Sequence, residues 1–264
     1  MVNIEETVKA INLKIKNFKP TVGIVLGSGL GSFAEQIDVR YKIKYKDIKD
    51  FPVSTIAGHD GSLVFGYLGE VRVVVMKGRF HYYEGYSMEQ VTAPIRVMSL
   101  LGVKRVLLSN AAGSLNDDLK VGDMMIITNH INMLPNPLVG KNDDRFGTRF
   151  PDMKEPYSKR LIEKAKQVYS NLKEGVYISC SGPSYETSAE IKFYKLIGGD
   201  AVGMSTIPEV IVARHAGMEV FALSLITNST NNDIAITHEE VLNIGIKASD
   251  RMARLFKELA MVKL

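Results

Sequence analysis

Arg79 and His81 stand two residues apart in the run KGRFHYYEGY, residues 77–86. At the end of an extended segment that spacing turns both side chains to one face. A guanidinium beside an imidazole suits a phosphate dianion, held through charge-assisted hydrogen bonds. Two solvated charges at a surface strand end would show the same spacing. Tyr83 and Glu84 extend the cluster, and a tyrosine offers a sugar ring a flat apolar face and a hydroxyl. A second candidate anion loop is GSGLGS, residues 27–32, after the apolar run 22–26. Glycines there let backbone N–H groups face an anion. The motif misses G-x-G-x-x-G, because Gly31 falls one place early, and it lacks the Gly-Lys-Ser/Thr of a Walker loop. A phosphate loop, a structural turn and a nucleotide site all stay open for it.

A carboxylate and a carboxamide form a different kind of pair. Glu186 follows Tyr185 in CSGPSYETSAE, residues 180–190. An aromatic face with a neighbouring carboxylate can stack a base and accept hydrogen bonds from its N–H edge. An acid beside a helix start at Thr187 is also favoured by the helix dipole alone. Asn228 ends the apolar run SLITN; its amide suits a purine edge, and an Asx turn is the plainer reading. In GDAVGMSTIPEVIVARH, residues 199–215, Val202, Gly203, Met204 and Ser205 lie between a strand and a helix. Thr206 and Glu209 match a capping box, which leaves the Ser205 hydroxyl for an anion. Met204 fits a core as well as a contact. His238 precedes Glu239 and Glu240 and could equally be a solvated residue near a helix start.

These residues need elements to position them, and the pattern supplies a set. Ile4, Val8, Ile11 and Ile15 give the N-terminal segment helical periodicity. Runs 62–68 and 71–76, joined at Gly69-Glu70, read as a hairpin. The basic alternating stretch from Arg40 to Lys49 reads as a strand with one solvated face. Ser87 with Gln90, and Thr187 with Glu190, match capping boxes that open helices. Strands are expected at 105–109, 124–128, 176–179, 201–202 and 219–226, with the Gly/Asn-rich stretch 110–123 between the first two as a loop. Residues 130–156 form a long polar segment with prolines, of the kind that is functional or lies at an interface. Helices are expected near 157–169, to Arg214, and after His238.

Strands alternating with helices imply an α/β fold with a mixed central β-sheet flanked by helices, and the absence of a linker implies a single domain over 1–264. Polar groups recur just past the strand ends at Ser28, Asn110, Ser181, Gly203–Ser205 and Asn228, the edge where open α/β sheets bind ligands. Hydrophobic residues make up 45% of 264, enough for a large core. The net charge of +4 is spread without the Arg and aromatic density of a nucleic-acid surface. Cys180 is the only cysteine, so no intrachain disulfide forms. The five histidines show no metal-ligand spacing, and the N-terminus has neither signal-peptide nor membrane-span character. A cytoplasmic protein without a metal, a nucleic-acid partner or a membrane partner is expected.

In this order the motifs resemble one family, the trimeric class of purine nucleoside phosphorylases, which includes methylthioadenosine phosphorylases. The likeness runs through GSGLG, GHDG, KGRFHYYEGY, SNAAGSLN, RFGTRFPDM, GPSYET, DAVGMSTIPEV, SLITN and HEEVL. It implies phosphorolysis of purine nucleosides in purine salvage, with no cofactor and with inorganic phosphate as co-substrate. It implies a phosphate site of Ser28, His59, Arg79, His81, the Ala111 amide and Ser205. Tyr83, Met204 and His238 would hold the ribose, and Phe150 would close that pocket from a neighbouring subunit of a homotrimer. Ala112, Gly113, Tyr185, Glu186, Val202 and Asn228 would surround the base, and His81, Glu186 and Asn228 would carry the catalytic step. Asparagine at 228, where an aspartate would suit a 6-amino group, implies inosine and guanosine as substrates. The nearest alternative is a methylthioadenosine phosphorylase. From other classes, GSGLGS leaves an NAD-binding oxidoreductase, and a ligand sensor without activity remains.

Overall fold

Asn3 ends an extended segment and accepts a hydrogen bond from the Glu6 amide, which starts helix α1 (Ile4–Lys14). Glu5 and Glu6 lie at its positive end and Lys14 at its negative end. Its apolar stripe is buried at Val8 and Ile11, and Ile15 continues it. The computed structural model describes residues 2–27, 31–53, 61–229 and 238–264, without the side chains of Ser32 and His238. Strand β1 (Val22–Val25) is buried at every position, which explains its unbroken apolar run. A six-residue 3-10 turn, Gly31–Gln36, follows the glycine motif instead of an α-helix. The dinucleotide reading of GSGLGS therefore lacks its helix.

The basic stretch forms β2 (Asp38–Lys44) and stops there, because Tyr45 turns inward. Its ring is fully buried and its hydroxyl donates to the Gly78 carbonyl at 2.7 Å. Strands β3 (Ser62–Leu68) and β4 (Val71–Lys77) make the expected hairpin around Gly69-Glu70. Ser87 and Gln90 form the capping box of α2 (Met88–Leu101). Strand β5 (Arg105–Ser114) is five residues longer than its apolar part, so residues 110–114 are strand and not loop. Next come β6 (Met124–Asn132), α3 (Lys159–Val168), β7 (Lys173–Ser179) and α4 (Ser188–Leu196), the last opened by the Thr187–Glu190 capping box. The chain ends with β8 (Ala201–Gly203), α5 (Ile207–His215), β9 (Glu219–Ser229) and α6 (His238–Met261).

Among the described residues the strands join one mixed sheet in the order β2–β3–β4–β1–β5–β8–β7–β6–β9. β5 also pairs with β9 in parallel, so β5, β8, β7, β6 and β9 close into a ring. Helices α1 and α5 pack against α2, while α3 packs against α6 and α6 against β9. The ring is anchored at the start of β5 by buried Arg105, which pairs with Glu219 and donates to the carbonyls of Leu259 and Val262. Burial alone would raise the Glu219 pKa. Hydrogen bonds from Arg160, Ser158 and Arg105 hold it instead at about 2.

Candidate active site

Where β5 leaves its apolar part it has two partners. Gly113 pairs with Val202 of β8 on one side and with Asn228 of β9 on the other. The ladder to β9 slips by one residue between Ala112 and Gly113, a bulge that re-aims side chains at the strand end. The loop after β1 reaches the same place because Gly27 lies flat on β5: a Cβ there would sit 2.9 Å from the Asn110 Cα. Together these strand ends enclose a cavity of about 120 Å³.

One part of the cavity wall is polar. Arg79, His81, Ala111 and Ser205 all line it, as the phosphate reading expects. Arg79 is 1% exposed and is not a solvated charge. Its Nε and Nη2 donate to both oxygens of Glu209 at 3.2 and 2.7 Å, and Nη1 donates to the Ser109 carbonyl. Glu209 therefore does not cap α5, contrary to the capping-box expectation. Thr206 makes no side-chain cap either. It has φ 73° and ψ −53°, and Ile207 N–H reaches back to the Ser205 carbonyl at 2.8 Å. That is a strained γ-turn, which costs on the order of 1–3 kcal/mol for a β-branched residue. The Thr206 hydroxyl instead accepts from Asn110 Nδ2 at 2.9 Å and lies 3.1 Å from the Ser205 hydroxyl. Ser205 is thus tied to Thr206, and its carbonyl also accepts from Ser179.

His81 is oriented by Glu84, whose Oε1 takes its backbone N–H at 2.8 Å and faces Nδ1 at 2.9 Å. Tyr83 stacks on the imidazole with ring centroids 4.7 Å apart and planes 15° off parallel. Burial first, then the Glu84 charge, pushes the Tyr83 pKa up to about 12, so it stays a neutral hydroxyl. Met204 lines the same cavity.

The cavity wall also presents Ala112, Gly113, Tyr185, Glu186, Val202 and Asn228, every residue expected around a base. Tyr185 is 49% exposed, an open aromatic face at the rim. The Thr227 hydroxyl lies 3.0 Å from Asn228 Oδ1 and 3.4 Å from the Ala112 carbonyl. With its oxygen facing that donor, the Asn228 amide offers its NH₂ as the other edge. The Glu186 carboxylate has Cys180 Sγ 3.3 Å from Oε1.

Ser28 and His59 lie outside the described residues, as does the side chain of His238, whose backbone opens α6. Phe150 is not in this cavity. It is 84% exposed and lines a separate groove of about 480 Å³ with His130, Leu138, Val139 and Arg149. Among the described residues no group of three or more His, Cys, Asp or Glu side chains could hold a metal ion, and no described helix is long and apolar enough to cross a membrane. The sequence reading missed Glu209, Thr206 and Thr227 as supports of the site. Only Glu84 had a local signal, its spacing of three from His81 across a turn.

The sequence model of the phosphorylase superfamily matches residues 21–260. Purine nucleoside phosphorylase 1 of Geobacillus stearothermophilus is 53% identical over 247 residues, covering 91% of this chain and 90% of the relative. Two solved structures of Schistosoma mansoni purine nucleoside phosphorylase superpose on the chain. The complex with adenosine has a TM-score of 0.93 and 44% identity, covering 99% of this chain and 98% of that one. The complex with inosine has a TM-score of 0.92 and 42% identity, covering 99% and 97%.

Proposed function

This chain belongs to the phosphorylase superfamily, and from that membership joined to the cavity's geometry we propose that it splits purine nucleosides with inorganic phosphate into free base and ribose 1-phosphate. One observation carries the reading: a single cavity is lined both by Arg79, His81 and Ser205, which suit a phosphate, and by Glu186 and Asn228, which suit a purine edge. Breaking the N9–C1′ bond leaves positive charge on the ribose and negative charge on the purine. Phosphate beside Arg79, His81 and Ser205 stabilises the sugar cation and forms the new C1′–O bond from the face opposite the base. Asn228 donates toward N7 or O6, where the purine gains charge, the kind of aimed donor that lowers such barriers. Glu186 accepts from N1–H. Tyr83 and Met204 flank the ribose between them, with Ser28, His59 and His238 completing the phosphate and sugar contacts.

The donor polarity at Asn228 favours 6-oxopurines, inosine and guanosine, in a salvage role in the cytoplasm. No cofactor or metal is needed, because phosphate supplies the nucleophile. The exposed ring of Phe150 and its groove support a homotrimer in which Phe150 closes a neighbour's ribose pocket. The test is hypoxanthine release from inosine with and without phosphate. Strictly phosphate-dependent release with equimolar ribose 1-phosphate is expected. No release, or hydrolysis without phosphate, overturns the reading.

A further inference from the structure

Cys180 follows β7, where its amide donates to the Gly203 carbonyl at 2.9 Å and so fixes it beside the end of β8. The thiol carries one hydrogen and has two acceptors in reach. Glu186 Oε1 lies at 3.3 Å and the Gly203 carbonyl at 3.5 Å; a charged acceptor wins such a competition. The sulfur packs against the small apolar cluster of Leu115, Ile178, Tyr194 and Val202, which prevents it from swinging away. Glu186 lines the cavity and Cys180 does not.

We propose that Cys180 is a positioning residue for base recognition: its thiol holds one oxygen of the Glu186 carboxylate and so sets the plane in which the other oxygen meets the purine. The inference rests on the reading of Glu186 as the carboxylate that accepts from the base. Burial, then the Glu186 charge, then the hydrogen bond itself push the thiol up to about 12. It therefore stays protonated, and a donor, throughout the range in which an enzyme works. The neighbouring phenols Tyr177 and Tyr194 are also held above their ordinary values by burial and stay neutral there. Without the thiol, Glu186 can rotate, and each base must order it on binding.

Two measurements test this on the full-length protein. The first is calorimetric binding of hypoxanthine to wild type, Cys180→Ala, Cys180→Ser and Glu186→Ala, with the Cys180→Ala/Glu186→Ala double variant closing the cycle. Loss of the thiol should weaken base binding about three- to ten-fold, the range of an ordinary net hydrogen bond, because sulfur is a weak donor. Serine should restore part of it, phosphate KM should not move, and the effect should vanish when Glu186 is already alanine. Unchanged affinity in Cys180→Ala, or additive losses in the double variant, overturns the proposal. The second is the alkylation rate of the sole cysteine by iodoacetamide. Glu186→Gln keeps the bulk but removes the charge, so the rate near pH 9 should rise about ten-fold for each unit by which the thiol pKa falls. An unchanged rate shows that the thiol does not meet the carboxylate. This second measurement needs no turnover: if wild type cleaved no purine nucleoside, the functional reading would fail while alkylation still decided the contact.

Discussion

Arg79→Ala should damage the fold as well as the phosphate site, and the size of that damage follows from the burial of its partner. A surface arginine could be truncated at almost no cost to stability. Here the Glu209 side chain is 4% exposed and bonds Arg79 through both oxygens. Alanine at 79 strands that carboxylate and also leaves the Ser109 carbonyl without its guanidinium donor. Removing one partner of a buried ion pair costs about 3–5 kcal/mol. At roughly 2–4 °C per kcal/mol for a domain of about this size, Tm should fall by roughly 6–20 °C. Replacing both partners with apolar residues of similar volume, as in Arg79→Met with Glu209→Leu, removes the charges together and should recover most of that loss. Phosphorolysis should not recover, because the anion has lost its guanidinium. The assay is thermal unfolding at matched protein concentration, since any subunit association also raises Tm, together with phosphate KM on the folded fraction. A Tm for Arg79→Ala within about 2 °C of wild type, or a double variant no more stable than the single one, would refute the buried pair.

Adenosine should be a poorer substrate than inosine by about two orders of magnitude or more in kcat/KM, because Glu186 would face the bare N1 lone pair and the Asn228 NH₂ would face the 6-amino group. Asn228→Asp should narrow that gap, and an unchanged ratio would take Asn228 out of base selection. Phe150→Ala should raise nucleoside KM without moving phosphate KM, and a monomeric, fully active wild-type protein in sedimentation would remove the shared pocket. Glu219 has a folded pKa of about 2, below its ordinary 4.5. Its contribution to stability is therefore present above about pH 4.5 and lost as pH falls toward 2. Glu219→Gln should thus unfold at a lower Tm than wild type near neutrality, with the gap closing as pH drops through that window. A gap independent of pH would show that the carboxylate charge is not what ties β9 to Arg105 and Arg160.

How much of this was legible in the sequence depended on how local its cause is. The stripe of Ile4, Val8, Ile11 and Ile15, the turn at Gly69-Glu70 and the capping boxes at Ser87 and Thr187 all act within a few residues, and each element formed where the pattern put it. The family resemblance supplied the full set of anion-, ribose- and base-binding residues, and twelve of them line one cavity. Residues 110–114 have the composition of a turn, Asn-Ala-Ala-Gly-Ser, yet they form a strand because β8 and β9 supply ladder partners from 87 to 115 residues downstream. Strand preference depends on the neighbours a segment finds, and here tertiary pairing overrides the local composition.

Thr206 and Glu209 show the same conflict at the site itself. Their spacing is that of a capping box, and locally each would gain by closing it. Arg79 lies 130 residues before Glu209, so no window on the sequence could reveal that a buried guanidinium claims the carboxylate. Once it does, Thr206 has no cap partner, and its hydroxyl turns to Asn110 from a strained backbone. Asn110 is 2% exposed, and its Oδ1 has no partner within the described chain. The strained turn directly follows Ser205, and the unpaired acceptor belongs to Asn110, which lines the same cavity as Ser205. Neither stabilises the fold, and folding alone would select against both. Asn110 Oδ1 is itself an acceptor and offers nothing to an anion, so it is the strained turn after Ser205 in which local preference has given way to the geometry of the site.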